Sequence, residues 1–269
     1  MHNKILCFDL ETIPDISNAR KIFDIAADVD EHEAWNIVRL KRLEKTGTEF
    51  LPHYLQKIIA ISIILQDGYK IKILTLGEDN EGESEIIQRF FQGLDNFKPT
   101  MVSWNGQGFD LPVLHYRSLL HNIQAPIYWE AGENNHDFKW NNYFNRYHTR
   151  HTDIMDVLSG YQGKAFAPLD ELAQILNLPG KIGLHGSEVY PAYLNNELDK
   201  ICAYCESDVL NTYLIYLRFL WCKAALTRQT YNNTLLSIEE YILKHPYKIH
   251  WQEFLGYLQA QLKNLGDKY

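Results

Sequence analysis

Short apolar runs alternate along this chain with stretches of helical periodicity. Residues 3–10 (NKILCFDL), 57–65 (KIIAISIIL) and 69–76 (YKIKILTL) predict three strands, the last two joined by a hairpin turn at QDG. Residues 83–94 (ESEIIQRFFQGL) place apolar positions three and four apart and predict a helix, after which MVSW (101–104) reads as a parallel return strand. A further helix is expected over 110–121, and 151–159 (HTDIMDVLS) holds a short strand or a helix entry. A compact helix opened by proline follows over 168–176. After the glycine-rich loop 178–188, one long amphipathic helix is expected over 195–220.

Three segments stand outside this alternation. A mostly helical insertion, about 17–56, carries the charged run RLKRLEK, and a polar, aromatic loop spans about 122–148. Both are candidates for lids or substrate-facing additions. Residues 221–269 form a C-terminal helical appendage, which leaves 1–220 as the main domain.

Composition narrows the classes of function. Of the 269 residues 46% are hydrophobic, enough to bury a sizeable core. The longest apolar runs are too short or too interrupted to span a bilayer, and the N-terminus turns acidic before a signal-peptide core forms, so a soluble cytoplasmic protein with no membrane partner is expected. The formal net charge of −8 opposes broad coating of nucleic acid, yet it allows an enzyme that grips one strand end and uses its acids for metal ions. Cys7, Cys202, Cys205 and Cys222 lie in apolar or helical contexts and read as reduced structural thiols, CAYC (202–205) included.

Candidate chemistry lies in three acidic stretches. In ILCFDLETIP (5–14), Asp9 and Glu11 share one face of a strand, and two like charges so close call for a raised pKa or a bound cation. A solvated strand end is the plain alternative. In SWNGQGFDLPVL (103–114), Asp110 stands where a helix cap would sit. The same glycines, Gly106 and Gly108, with Glu130 downstream, permit a dinucleotide-binding loop and hence an oxidoreductase, although Leu111 occupies the place of the third small residue. In ICAYCESDVLNTYLIYLR (201–218), Tyr204 and Asp208 lie one turn apart beside the apolar stripe of Ile201, Cys205, Val209, Thr212 and Tyr216.

In order, FDLET, NGQGFD and YCESD resemble the three motifs of the DEDD-type 3'-5' exonucleases, in the subgroup bearing a tyrosine. The chain is most similar to the predicted polymerase-B-like 3'-5' exonuclease family, over roughly residues 4–220. That resemblance implies an RNase H-like α/β fold: a mixed sheet of about five strands, the first three antiparallel and the rest parallel, with helices on both faces. It implies that Asp9, Glu11, Asp110 and Asp208 hold two divalent cations, Mg²⁺ or Mn²⁺, with Asp9 bridging them, and that Tyr204 orients the attacking water. Thr12, Ile13 and Asn105 would meet the terminal nucleotide, Ile13 as an apolar wedge. The implied reaction releases nucleoside monophosphates from the 3' end of single-stranded DNA. RNA is the nearest alternative substrate, and a catalytically silent nucleic-acid-binding module is another. A stand-alone nuclease or one recruited by a replication or repair partner is expected, since polymerase fingers, palm and thumb do not fit in this length.

Around these motifs, Asp153 and Asp156 read as helix-start residues. Arg146, His148, Arg150, His151 and Lys181 read as solvated loop charges that offer phosphate contacts.

Overall fold

The computed structural model describes residues 4–180 and 182–266. Its centre is a sheet in the order β3-β2-β1-β4-β5, built from β1 (Ile5–Pro14), β2 (Gln56–Asp67), β3 (Lys70–Leu76), β4 (Thr100–Ser103) and β5 (His151–Asp153). The first three strands are mutually antiparallel, and β4 and β5 run parallel to β1. This is the expected RNase H-like α/β arrangement. Strand β2 is paired on both sides and covered on both faces, which explains why KIIAISIIL lacks alternation.

The helices in chain order are α1 (Ile16–Phe23), α2 (Glu31–Thr46), α3 (Glu83–Phe97), α4 (Asp110–His121), α5 (Ile154–Leu158), α6 (Leu169–Ile175), α7 (Val189–Leu194), α8 (Leu198–Cys222), α9 (Arg228–Leu243) and α10 (Ile249–Gly266). Leu6, Phe8 and Leu10 of β1 meet α3 and α4 on one face of the sheet. Ile5 and Cys7 meet α8, α9 and α10 on the other. Helices therefore cover both faces. No helix among the described residues is long and apolar enough to cross a membrane.

Two boundaries differ from expectation in ways that bear on the site. Strand β1 continues four residues past Leu10 because β2 pairs with it as far as Pro14↔Gln56, with an irregularity between Glu11 and Thr12. The long helix expected over 195–220 begins at Leu198, because Asn196 takes a left-handed backbone, φ 60°, that separates α7 from α8. Helix α8 is also buried around most of its girth, polar positions Glu206, Ser207 and Asn211 included, because it lies between the sheet and the last two helices.

Those last helices are part of the core. Ile238, Ile242, Trp251 and Phe254 share one cluster with Ile73 and Val209, and Tyr241 Oη donates to the Ile73 carbonyl at 3.1 Å. Between β1 and β2, α1 and α2 enclose their own small core of Ala19, Val38, Leu51 and Leu55. Arg117 fastens that segment to the rest: its guanidinium donates to Asp15 at 2.6 Å and to both oxygens of Glu83. The 122–148 loop is anchored by Tyr128, Phe138 and Tyr143, all buried.

Candidate active site

Asp9 and Glu11 lie two residues apart on the face of β1 that Cys7 turns toward α8, opposite Ser62 and Ala60 of β2. On the other side β4 ends at Ser103, so the loop after it is free to bring α4 in beside the end of β1. That loop turns on Asn105, which adopts φ 62°. The Asn105 carbonyl accepts the amides of Gly108 and Phe109, each at 2.9 Å. A side chain on Gly106 would run into Ser103, so that glycine is a packing requirement, while one on Gly108 would displace the end of the Asn105 side chain. Asp110 is the first residue of α4, with Phe109 as the cap; the expected Asp cap sits one position further in.

Helix α8 supplies Tyr204, Cys205 and Asp208. The Cys205 thiol donates to the Asp9 carbonyl at 3.4 Å and approaches its carboxylate at 3.7 Å. Ligand atoms of Asp9, Glu11 and Cys205 all lie within 4.8 Å of one another. Asp110 and Asp208 are 4% and 8% exposed.

The electrostatics show how tightly these acids are gathered. Desolvation, then the charges of Asp110, Asp208 and Glu11, push Asp9 well above the usual carboxylate range. Desolvation likewise pushes Asp110 up to about 7, with the charge of Asp153 adding and backbone amides, including that of Leu10, opposing. Burial raises the Tyr204 phenol, and the charges of Asp208, Glu11 and Asp9 and a hydrogen bond to Asp208 add to it. Carboxylates that feel one another at largely buried positions hold excess negative charge, which protons or hard cations relieve. Carboxylate oxygens are the donors such cations take, and Asp9 and Glu11 hold theirs close enough together, beside the Cys205 sulfur, to share one ion.

The other candidates are placed differently. Thr12 Oγ1 donates to Gln56 at 3.0 Å. Ile13 is 4% exposed and packs in a cluster with Ile59, Val189, Ala192, Ile201 and Tyr204, at the edge of a groove that Arg20, Lys57 and Tyr193 also line. Asn105 serves its turn, its amide donating to Asp153.

Asp153 does more than start a helix. It caps α5 at Met155 and also accepts the amides of Asn105 and Gln107. With those amides and the ones bonded to Asn105 engaged, NGQGFD has no cradle for a pyrophosphate, and Glu130 accepts amides of its own loop, from Gly132 at 2.7 Å and Asn134 at 3.1 Å. The dinucleotide-binding reading is therefore dropped. The basic run has partners within the fold, although Arg146 itself is exposed. Arg146 pairs with both oxygens of Asp156, Arg150 donates to the Asn141 carbonyl, His148 accepts the Asn142 amide, and His151 is buried. Lys181 lies outside the described residues. Cys205 beside Asp9 had no signal in the sequence beyond its place on the apolar stripe.

The family described as predicted 3'-5' exonucleases related to the exonuclease domain of PolB matches residues 48–258. The chain belongs to this 3'-5' exonuclease family. The match contains Asp110, Tyr204 and Asp208, and β1 with Asp9 and Glu11 precedes it. The chain is 24% identical over 159 residues to the catalytic polypeptide of DNA polymerase epsilon from Emericella nidulans, covering 56% of this chain and 7% of that one. It is 24% identical over 154 residues to the corresponding polypeptide of Saccharomyces cerevisiae, covering 54% and 6%. It thus spans under a tenth of the length of these relatives. Among solved structures, the family B DNA polymerase of Pyrobaculum calidifontis matches with a TM-score of 0.48 and 13% identity over 90% of this chain and 29% of that one.

Proposed function

We propose that this exonuclease hydrolyses single-stranded DNA from the 3' end, in preference to RNA, and releases nucleoside monophosphates with the help of two divalent cations, Mg²⁺ or Mn²⁺. What carries the reading is the approach of Asp9 and Glu11 on one face of β1, with Asp110 and Asp208 near enough that their charges, after desolvation, help to raise Asp9. Asp9, Glu11, Asp110 and Asp208 are the residues that would hold the cations, with Asp9 as the carboxylate on which the charges of the other three act. Bound there, the cations supply Lewis-acid activation of water and neutralise charge at the phosphorus.

The protein's own part is positioning. Tyr204 stays protonated, because burial and three neighbouring acids raise its phenol, so its hydroxyl orients the attacking water and removes no proton. Ile13, packed in the same cluster as Tyr204, offers the apolar wall for the terminal base. Thr12, next to Ile13 on β1, and Asn105, in the loop that leads to Asp110, are the polar residues offered to the same nucleotide.

The test is a 5'-labelled oligonucleotide incubated with Mg²⁺ or Mn²⁺, beside an RNA of the same sequence. A ladder shortened from the 3' end, faster on DNA and lost in Asp9→Ala, is the expected result. Hydrolysis that survives Asp9→Ala would overturn the assignment, and equal or faster loss of RNA would move the substrate to RNA.

A further inference from the structure

The segment between β1 and β2 takes no part in the acid cluster, yet it carries an exposed surface beside it. Phe50 and Tyr54, near its end, are 55% and 46% exposed. Phe50 meets the ring of Phe109, the residue before Asp110, with centroids 5.8 Å apart, and His53 meets the same ring at 5.6 Å. His53 Nε2 donates to the Gly108 carbonyl at 2.9 Å, which clamps the segment to the loop that delivers Asp110. Tyr54 in turn stands 6.0 Å from Tyr116 of α4, itself 48% exposed. Aromatic faces left uncovered in a row are unusual on a surface that meets only water.

Basic side chains continue this row. A groove of about 380 Å³ next to Tyr54 is lined by Lys41, Arg42 and Lys45. The run RLKRLEK holds four basic residues and one acid in a chain of net charge −8. Arg42 also donates to the Phe50 carbonyl, at 3.3 and 3.2 Å, so the basic and aromatic parts are one unit. Rings that accept any base, next to cations for phosphates, are the ingredients of single-strand binding. Their confinement to one short stripe suits a chain too acidic to coat nucleic acid elsewhere.

Resting on the exonuclease reading, we infer that this segment is the track for the single strand 5' of the cleaved nucleotide. Bases stack on Phe50 and Tyr54, and phosphates meet Arg42 and Lys45. The track begins at Phe109 and leads away from the acids, so it holds substrate between successive cleavages.

Fluorescence anisotropy in EDTA, where no hydrolysis occurs, tests this on labelled oligothymidylates from a dinucleotide to a dodecamer. Wild-type affinity rises with length. Phe50→Ala combined with Tyr54→Ala is expected to weaken the dodecamer about 100-fold, about 10-fold for each stacked base, and so to flatten the length dependence. Lys45→Gln, at an exposed position that leaves the fold intact, is expected to reduce the salt slope by about 1. Dodecamer affinity that is unchanged, or lost by one factor at every length, would overturn the inference. So would an unaltered salt slope in Lys45→Gln, which decides the matter alone if the double variant does not fold. Failure of the wild type to cleave oligonucleotides with Mg²⁺ would remove the exonuclease reading and leave the length series to judge the track.

Discussion

Asp153 Oδ1 accepts the backbone amide of Asn105 at 3.0 Å, and its Oδ2 accepts that of Gln107 at 2.9 Å. A carboxylate at the end of β5 thereby holds the loop from which α4 starts at Asp110. Asp153→Ala leaves both amides without this acceptor, and the expected loss is about 2–4 kcal/mol in denaturant unfolding. Nuclease rate is expected to fall about 10-fold or more, through misplacement of Asp110. An unchanged rate in a destabilised variant would show that other contacts hold the loop.

Asp9 experiences Asp110, Asp208 and Glu11 as repulsive neighbours. Replacing it by Asn removes its ionisable carboxyl from the set and keeps the shape. Asp9→Asn is expected to stabilise the metal-free protein by about 1–2 kcal/mol at neutral pH while abolishing hydrolysis, a trade common at active sites. Added Mn²⁺ should raise the melting temperature of the wild type and leave that of the variant unchanged. Equal metal stabilisation of both proteins would remove Asp9 from the ligand set.

Pattern alone made the first strands and two same-face pairs of side chains legible, whereas the mixed sheet and the meeting of the acids were expected from the family resemblance. Apolar runs of β-branched residues and the two-residue period marked β1 to β3 and put Asp9 and Glu11 on one face. Helical spacing alone put Tyr204 and Asp208 on one side of α8. What pattern does not carry is the partner across the fold. Cys205 looked like any stripe residue until α8 was laid against Asp9, and Asp153 looked like a simple cap until β5 placed it under Asn105 and Gln107. Arg146 and Arg150 looked like solvated charge for the same reason: a loop sequence does not announce that Asp156 and the Asn141 carbonyl will receive them. The length of β1 escaped because it is set by β2, whose pairing continues to Pro14.

Arg117 is 2% exposed and bridges Glu83 of α3 to Asp15, the cap of α1. Its loss would strand two buried carboxylates. Arg117→Leu is therefore expected to cost about 3–5 kcal/mol and to loosen the segment between β1 and β2, since Arg117 also reaches the Tyr54 carbonyl. Denaturant unfolding and limited proteolysis report the two effects, and cleavage within residues 24–52 is the expected signature.

Tyr204 contributes a hydroxyl that stays protonated, next to Asp208. Tyr204→Phe retains the ring that packs with Ile13 and Ile201 and removes only the hydroxyl. If orientation of water is its role, kcat falls about 10- to 100-fold with KM and metal affinity unchanged. A rise in KM with kcat preserved would instead assign the hydroxyl to substrate binding.

His151 links acid conditions to stability. Its ring is 2% exposed; Gln107 Nε2 donates to Nδ1 at 3.0 Å, so the neutral ring carries its proton on Nε2 and donates to Ser103 Oγ at 2.8 Å. Desolvation lowers its pKa to about 4, against the opposing charge of Asp156, whereas an unfolded histidine titrates near ~6.5. Between those values the unfolded chain binds a proton that the folded one refuses. The contribution is thus fully present above about pH 6.5 and lost as pH falls toward about 4, by about 3 kcal/mol in all. His115, lowered to about 4 by desolvation, acts in the same direction, and the raised acids Asp9 and Asp110 act against it. The difference between wild type and His151→Gln isolates the single group. Denaturant midpoints across pH 4 to 8 should show the wild-type advantage largest at the alkaline end and shrinking through this window. A gap constant with pH would mean that His151 does not stay neutral in the folded protein.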